Sequence, residues 1–458
     1  MAVELGELGE ARMNPDSFAQ NHTPVNWEET LLEPGCKACE APFEDKVSIV
    51  ARVGLITLGS GTGSWRVREA MNRIARLLGI KCHADISLLG IEASFTQGRE
   101  TCSRVVTLRT AGVNTNRIWK IEQFVRDAGN LGRDWTVGEF HERLDVIEHE
   151  KGAYSSFQVG LAAAFACGAF VFLLGGGASE MLCAAIGAGL GNFVRSKMLG
   201  RKLNQMFSVG VGVAVACLGF FAAIKVLELC FGISFENEAG YIGAMLFVIP
   251  GFPLIESGLD IAKLDMRSGL ERFAYALTII VIATLVGWIV ALVVGLEPGE
   301  LTQPEFSPEL LLALRLIMTF VGVFGFSIMF NSPVKMAALA GFVGAVANTL
   351  RLTLQDMSVP PEIAALLGAT TAGLLAWTFI AASDKLGKPH FPRVSLTVPS
   401  IVIMVPGLYM YQAMYYLAAF DTVSALDWAF RAGLIVVFLP IGLAIARILT
   451  DPRWRYDT

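Results

Sequence analysis

The chain has 458 residues, of which 54% are hydrophobic and only 17% charged, with a formal net charge of −5 at pH 7. Soluble domains carry about 25% charged residues, so this balance, with a mean hydropathy of +0.55, excludes an ordinary soluble enzyme and points to an integral membrane protein. The acidic net charge argues against a nucleic-acid partner, which favours a basic face.

Residues 1–43 hold acids, Asn and Pro but no apolar core of a signal peptide, and read as a disordered leader. Within them Cys36 and Cys39 form a CxxC pair with no second pair or histidine at ligand spacing, so two reduced thiols are expected and no metal. Four further cysteines (Cys167, Cys183, Cys217, Cys230) lie in apolar runs, and no disulfide framework is indicated.

Residues 44–152 are long enough for one small core and read as an α+β domain. Helical spacing runs over 45–58 and 64–78, alternation suggests strands over 85–96 and 104–109, and helical patterns return over 115–128 and 136–150. The turn Gly59-Ser-Gly-Thr-Gly63 leads into a helix, a geometry that suits an anion because free N–H groups meet the helix dipole. A helix rather than a strand precedes it and no Lys-Ser/Thr follows, so an interhelical turn capped by Ser64 is the plainer reading. His83, His141 and His149 are too dispersed for a metal site, and no catalytic constellation emerges.

From Phe157 onward about ten apolar stretches follow, at 157–174, 178–195, 205–229, 239–259, 269–295, 309–330, 333–354, 360–382, 394–418 and 427–449. Basic or mixed loops (195–202, 263–272, 384–393, 447–455) alternate with acidic or neutral ones (175–180, 236–239, 297–309, 355–362, 421–427), which places both termini in the cytoplasm.

An internal repeat cuts this region in two. Val248-Ile-Pro-Gly251 returns as Met404-Val-Pro-Gly407, 156 residues on, and the same shift places Asn192 on Asn348, Arg195 on Arg351, Ser268 on Ser424 and Glu271 on Asp427. Five spans per half, over 153–300 and 301–458, make the second half inverted relative to the first. The expected fold is therefore membrane all-α, two inverted five-helix repeats behind a small cytoplasmic α+β domain. Pro250, Gly251 and Pro253 in the fourth span and Pro406 and Gly407 in the ninth predict paired broken helices lining a cavity. A simple proline kink is the alternative.

Ionisable groups inside spans are functional suspects. Glu256 lies a turn and a half beyond the first break, with Gln412 at the matching position, and is a candidate proton carrier. Asp260 shares its helix face, either as a second site group or as a solvated helix end. Asn192 and Asn348 serve either a neighbouring helix or the substrate. Arg195 and Arg351 read more simply as snorkelling anchors than as carboxylate ligands. Of Tyr409, Tyr411, Tyr415 and Tyr416, Tyr409 aligns with Pro253 and is the cavity candidate. Arg272 and Arg315 have acids within reach, such as Glu256 or Glu271, without a choice of partner.

The chain resembles the threonine/serine exporters over most of residues 50–450. The likeness lies in Gly63-Ser-Trp-Arg-Val-Arg-Glu-Ala-Met71, Ile74–Ile80, Val248-Ile-Pro-Gly-Phe-Pro-Leu254 through Asp260, Ser268-Gly-Leu-Glu-Arg272, Phe330-Asn-Ser-Pro333 and Val405-Pro-Gly407. The resemblance implies a cytoplasmic domain followed by ten spans, and export of small hydroxy amino acids across the plasma (inner) membrane by a gradient-driven carrier. It places Pro250, Gly251, Pro253, Asp260, Ser268, Gly269, Arg272, Pro406 and Gly407 at motif positions, whereas the role of Glu256 rests on physics alone. Some relatives are split into two chains and linked to dicarboxylates, so succinate-type export is the alternative substrate class. A membrane-anchored hydrolase working through residues 44–152 and a passive channel are the readings from other classes. The expected partners are a small-molecule substrate, protons and the lipid bilayer, with homo-oligomers open and no cofactor.

Overall fold

The computed structural model describes residues 25–232, 240–295, 306–387 and 391–456. The amino-terminal unit is built on α1 (Phe43–Gly59), which is buried along most of its length. Beside it lie α2 (Ser64–Leu77), strands β1 (Lys81–Ile86), β2 (Gly90–Gln97) and β3 (Glu100–Thr107), and helices α3 (Thr115–Leu131) and α4 (Val137–Glu148). In α2 the buried Val67, Met71, Ile74 and Ala75 fall on one stripe, leaving its arginines outside. The strands form an antiparallel meander in the order β1-β2-β3. Ile91, Ala93 and Phe95 of β2 alternate into the core. Pairing begins at Lys81, earlier than the alternation suggested, because Cys82 lies opposite Phe95 and shares its buried face.

The leader departs from expectation. Residues 1–24 lie outside the described residues, but 25–42 are strapped onto the unit. Trp27 and Ala38 are buried, the Ala38 N–H donates to Trp135 O (2.9 Å), and Asp45 at the start of α1 accepts the N–H groups of Leu32 (2.8 Å) and Glu33 (2.9 Å). An aromatic anchor and a helix-terminal carboxylate fix a stretch whose composition alone looked loose. Cys36 and Cys39 are free thiols, half-buried against this core.

The second region contains α5 (Ser156–Leu173), α6 (Ala178–Gly200), α7 (Gln205–Phe231), a first broken helix made of α8 (Gly240–Met245), a 3-10 turn (Leu246–Val248) and α9 (Gly251–Ala262), and then α10 (Met266–Val294). After it come α11 (Pro308–Met329), α12 (Val334–Asp356), α13 (Pro361–Lys385), a second broken helix made of α14 (Arg393–Val402) and α15 (Gly407–Ala418), α16 (Thr422–Thr450) and the short α17 (Pro452–Arg455). A shift of 156 residues carries α6 onto α12, α9 onto α15 and α10 onto α16, end for end. It also carries backbone detail. Left-handed residues recur in register, Lys202 with Ser358, Leu264 with Phe420 and Gly175 with Asn331, and Pro250 (φ −81°, ψ 59°) matches Pro406 (φ −81°, ψ 56°).

The two breaks bend by 60° and 44° and pack on each other. A Cβ on Gly251 would lie 3.0 Å from Val402, and one on Gly407 would lie 2.3 Å from Ile249 and 2.6 Å from Leu246. Leu246 is the repeat counterpart of Val402, so the contact is reciprocal. Tyr241 of α8 and Tyr411 of α15, both fully buried, join the same two broken helices by a hydroxyl–hydroxyl bond.

The protein is a multi-pass membrane protein. Among the described residues seven helices are long and apolar enough to cross a bilayer, or nine if each bent pair is one span, against the ten expected. The difference is α6, which has the length but carries Glu180, Arg195 and Lys197 and is rich in glycine. Its glycines serve packing. A Cβ on Gly187 would fall 2.4 Å from Ala216 O and one on Gly191 2.5 Å from Gly212 O, so α6 and α7 touch backbone to backbone.

Two outcomes follow from this packing. Gly191→Ala is expected to lower the thermal unfolding midpoint in detergent, by an overpacking cost of ~1–3 kcal/mol, whereas Gly433→Ala, with open space around it, leaves the midpoint unchanged. In the amino-terminal unit, the His141 ring accepts a hydrogen bond from Arg52 (3.0 Å) and meets Ser48 Oγ (3.2 Å). Burial, and then the Arg52 charge, pushes its pKa down to about 4. The unfolded chain therefore binds the extra proton between about pH 6.5 and 4, and stability present above that window falls through it, by at most ~3 kcal/mol. Unfolding midpoints measured against pH should show this slope in wild type and not in His141→Gln.

Candidate transport site

Helix α9 places Glu256 and Asp260 four residues apart on one face, and both are buried at 1% and 0% exposure. Asp260 is no solvated helix end. Its Oδ2 accepts a hydrogen bond from Ser268 Oγ (2.7 Å) and lies 3.2 Å from Arg272 Nε, while its Oδ1 accepts the Ser64 N–H (2.9 Å). The glycine-rich turn, read more plainly as an interhelical turn, holds an anion after all, and the anion is the protein's own carboxylate. Gly63, rather than Ser64, is the N-cap of α2, and the Ser64 hydroxyl donates instead to Asp265 (2.6 Å), which Arg68 also grips (2.5 Å). Arg272 closes the ring by donating to Thr62 O (2.7 Å). Its acid is therefore Asp260; Glu271 accepts the Leu88 N–H (2.7 Å), and Arg315 pairs with Asp356.

Glu256 is different in kind. Its Oε1 is buried with no hydrogen-bond partner within the protein, and the cations whose fields reach it are Arg66, Arg447 and Arg272. Gln412, its repeat counterpart, also has a buried oxygen without a partner.

A cavity of about 170 Å³ opens at the first break, walled by Pro250, Pro253, Arg195, Arg272, Gln205 and Tyr275. Gln205 donates to the Tyr275 hydroxyl (2.5 Å). The amino-terminal unit forms another part of its wall through Leu58, Gly61 and the loop at Gly112. Arg195 is half-buried there, donating through Nη1 to Asn192 Oδ1 (3.1 Å) with its Nε unpartnered, so it is no snorkelling anchor. The described lining carries two guanidinium groups and no carboxylate.

A family model described as "Putative threonine/serine exporter" matches residues 48–295, and one described as "Threonine/Serine exporter, ThrE" matches 315–449. The chain belongs to the threonine/serine exporter family. It is 25% identical to the "Threonine/serine exporter" of Corynebacterium glutamicum over 388 residues, 81% of this chain and 75% of that protein. It is 22% identical to the "Probable threonine/serine exporter" of Mycobacterium tuberculosis over 429 residues, 89% of this chain and 76% of that one. It is also 25% identical to the "Probable succinate transporter subunit YjjP" of Escherichia coli over 245 residues, 53% of this chain and 91% of that protein. No solved structure matches. Membership of the exporter family makes the chain a transporter and not an enzyme.

Of the residues singled out in this exporter's sequence, Pro250, Pro253 and Arg272 meet at the cavity, with Glu256 and Asp260 on the same helix α9. Gly251, Pro406 and Gly407 lie where the breaks cross. Asn192 supports Arg195 and donates to Val159 O (3.1 Å), whereas Asn348 donates to Thr319 Oγ1 (3.0 Å). Tyr409 packs edge-on against Trp428 at 5.0 Å, and the tyrosine at the crossing is Tyr411. Asn192, Gly251, Glu256, Asp260, Asn348, Pro406, Gly407, Tyr409 and Gln412 are not among the residues that line the cavity. Gln205, Tyr275 and Tyr241 carry no local motif, and pattern reading passed over them.

A Cβ on Gly63 would fall 2.5 Å from Glu256 Oε2 and 2.6 Å from Asp260 Oδ1. Gly63→Ala should therefore loosen the amino-terminal unit. Limited proteolysis of the connection at 149–155 is expected to run roughly tenfold faster, as for a local opening made ~1.4 kcal/mol easier, with Gly35→Ala, which meets nothing, as the unchanged control.

Proposed function

We propose that the protein exports small amino acids of the threonine/serine class by alternating access between two inverted five-helix halves, residues 153–300 and 301–458. The observation that carries this reading is that the same two positions in both halves hold buried polar atoms without partners, Arg195 with Arg351 and Glu256 with Gln412. Unsatisfied buried groups cost free energy and are retained where a ligand or an ion completes them. The matched pairs are also in unlike states. Asn192 Oδ1 accepts from Arg195, but Asn348 Oδ1 accepts from nothing within the protein. Such asymmetry between equivalent positions is what a carrier closed on one side requires.

In this reading the amino-terminal unit, residues 44–152, faces the cytoplasm with both termini, the membrane is the plasma membrane, and the unit stops the cytoplasmic mouth of the cavity. The substrate carboxylate lies against Arg195, and Glu256 binds and releases the coupling proton. A dicarboxylate substrate is the second reading, favoured by a cavity whose described lining has two arginines and no acid.

Counterflow in proteoliposomes decides between them. Vesicles loaded with unlabelled threonine, serine or succinate are expected to accumulate labelled threonine or serine transiently. Glu256→Gln should keep exchange and lose gradient-driven flux, and Arg195→Gln should raise the half-saturating concentration about tenfold or more, the loss of a charged hydrogen bond worth ~1.5–3 kcal/mol. Accumulation of succinate alone selects the dicarboxylate reading, and the absence of counterflow with all three solutes overturns both.

A further inference from the structure

A second cavity, of about 380 Å³, lies where the amino-terminal unit meets the ends of α13, α14 and α16, and it shares no lining residue with the cavity at the break. Arg66 and Arg73 of α2, Arg126 of α3, Arg393 of α14, Arg447 of α16 and Arg453 of α17 line it. The acids among its walls are Glu69, Glu122 and Asp451, and each is already engaged. Glu122 binds Arg66 (2.6 Å), Glu69 binds Arg73 (2.8 Å) and Arg453, and Asp451 binds Arg453 (3.1 Å).

Three of the guanidinium groups, Arg66 among them beside its bond to Glu122, keep a donor to spare. Arg447 is 3% exposed, stands over the Trp454 ring at 5.0 Å and the Trp65 ring at 5.7 Å, and its Nη2 is buried with no partner. Arg393 gives its Nη groups to neutral acceptors, Thr450 Oγ1 (2.8 Å) and Gly373 O (3.0 Å), and its Nε has no partner. The Nε of Arg66 is likewise buried and unpartnered. The three arginines that keep these buried, unpartnered donors line one cavity from three helices, two of them in the membrane region and one in the amino-terminal unit. The fields of Arg66 and Arg447 reach the buried Glu256, yet three buried guanidinium groups repel one another and are costly unless a further anion neutralises them, and their planar forks match the oxygens of phosphate.

We propose that this cavity is a binding site for a phosphate-bearing anion, which ties α2 and α3 to α14 and α16. Against three convergent arginines a phosphate group brings three terminal oxygens and close to two negative charges, where a carboxylate brings two oxygens and one charge. Two sources supply that chemistry. One is a soluble phosphate compound. The other is the headgroup of an anionic lipid, for which Trp377 of α13, 42% exposed, stands among the walls.

The test is the thermal unfolding midpoint of the full chain in a neutral detergent. Inorganic phosphate and pyrophosphate are titrated against chloride at matched ionic strength, and cardiolipin is titrated against phosphatidylcholine in mixed micelles. A saturable rise with a phosphate compound or with cardiolipin is expected, and which of them raises it names the source. Arg447→Gln should abolish the rise, Arg126→Ala, on the exposed edge, should raise the half-saturating concentration several-fold, and Arg195→Gln at the other cavity should leave it unchanged. Arg126→Ala answers the question if Arg447→Gln does not fold. No saturable response to any probe, or an equal response in Arg126→Ala and wild type, overturns the site. Transport plays no part in the readout, so failure here is separate from failure of the exporter reading.

Discussion

A carboxylate held at zero exposure must be given hydrogen bonds and a counter-charge or it will not stay ionised. Asp260 receives both from three parts of the chain: the Ser64 amide at the start of α2, Ser268 on α10 and the Arg272 guanidinium. One charge therefore joins the broken helix, the helix after it and the amino-terminal unit. Arg272 also walls the cavity at the break, so the group that anchors the unit is also one that a bound carboxylate would meet.

The crossing of the two breaks has a different origin. Proline removes an N–H and its ring displaces the preceding turn, and the freed backbone groups need protein or water around them. Setting two such breaks against each other meets that need inside the protein. Glycine at 251 and 407 lets each break sit on the turn residues of the other, Val402 on one side and Leu246 and Ile249 on the other. The Tyr241–Tyr411 bond adds a polar tie at the same level.

Much of this was legible in the chain itself. The change from charged to apolar residues near Phe157, the helical periodicities before it and the 156-residue recurrence are local or translational signals, and each half carries its own copy of Pro-Gly. The conformations of Pro250 and Pro406 agree for the same reason, since local sequence sets local dihedral angles. The turn before α2 was legible as an interhelical turn, but its expected cap, Ser64, gives way to Gly63, and the anion site set aside as the less plain reading is the one that is filled.

Which anion fills that turn was not legible, because Ser64 and Asp260 are 196 residues apart and nothing local in either names the other. The same holds for Arg195, read as a membrane anchor from its place near a helix end and found at a cavity wall, and for Tyr411 in place of Tyr409. Residues 25–42 lacked apolar periodicity, yet Trp27 and the Asp45 carboxylate fix them. The sequence by itself determined the class of protein, its repeat and the positions of its breaks, since these depend on hydrophobicity, proline and periodicity along the chain. Only the tertiary structure decided which charges are paired and which are left with free donors, because pairing depends on distance in space and on burial, and neither is written in the order of residues.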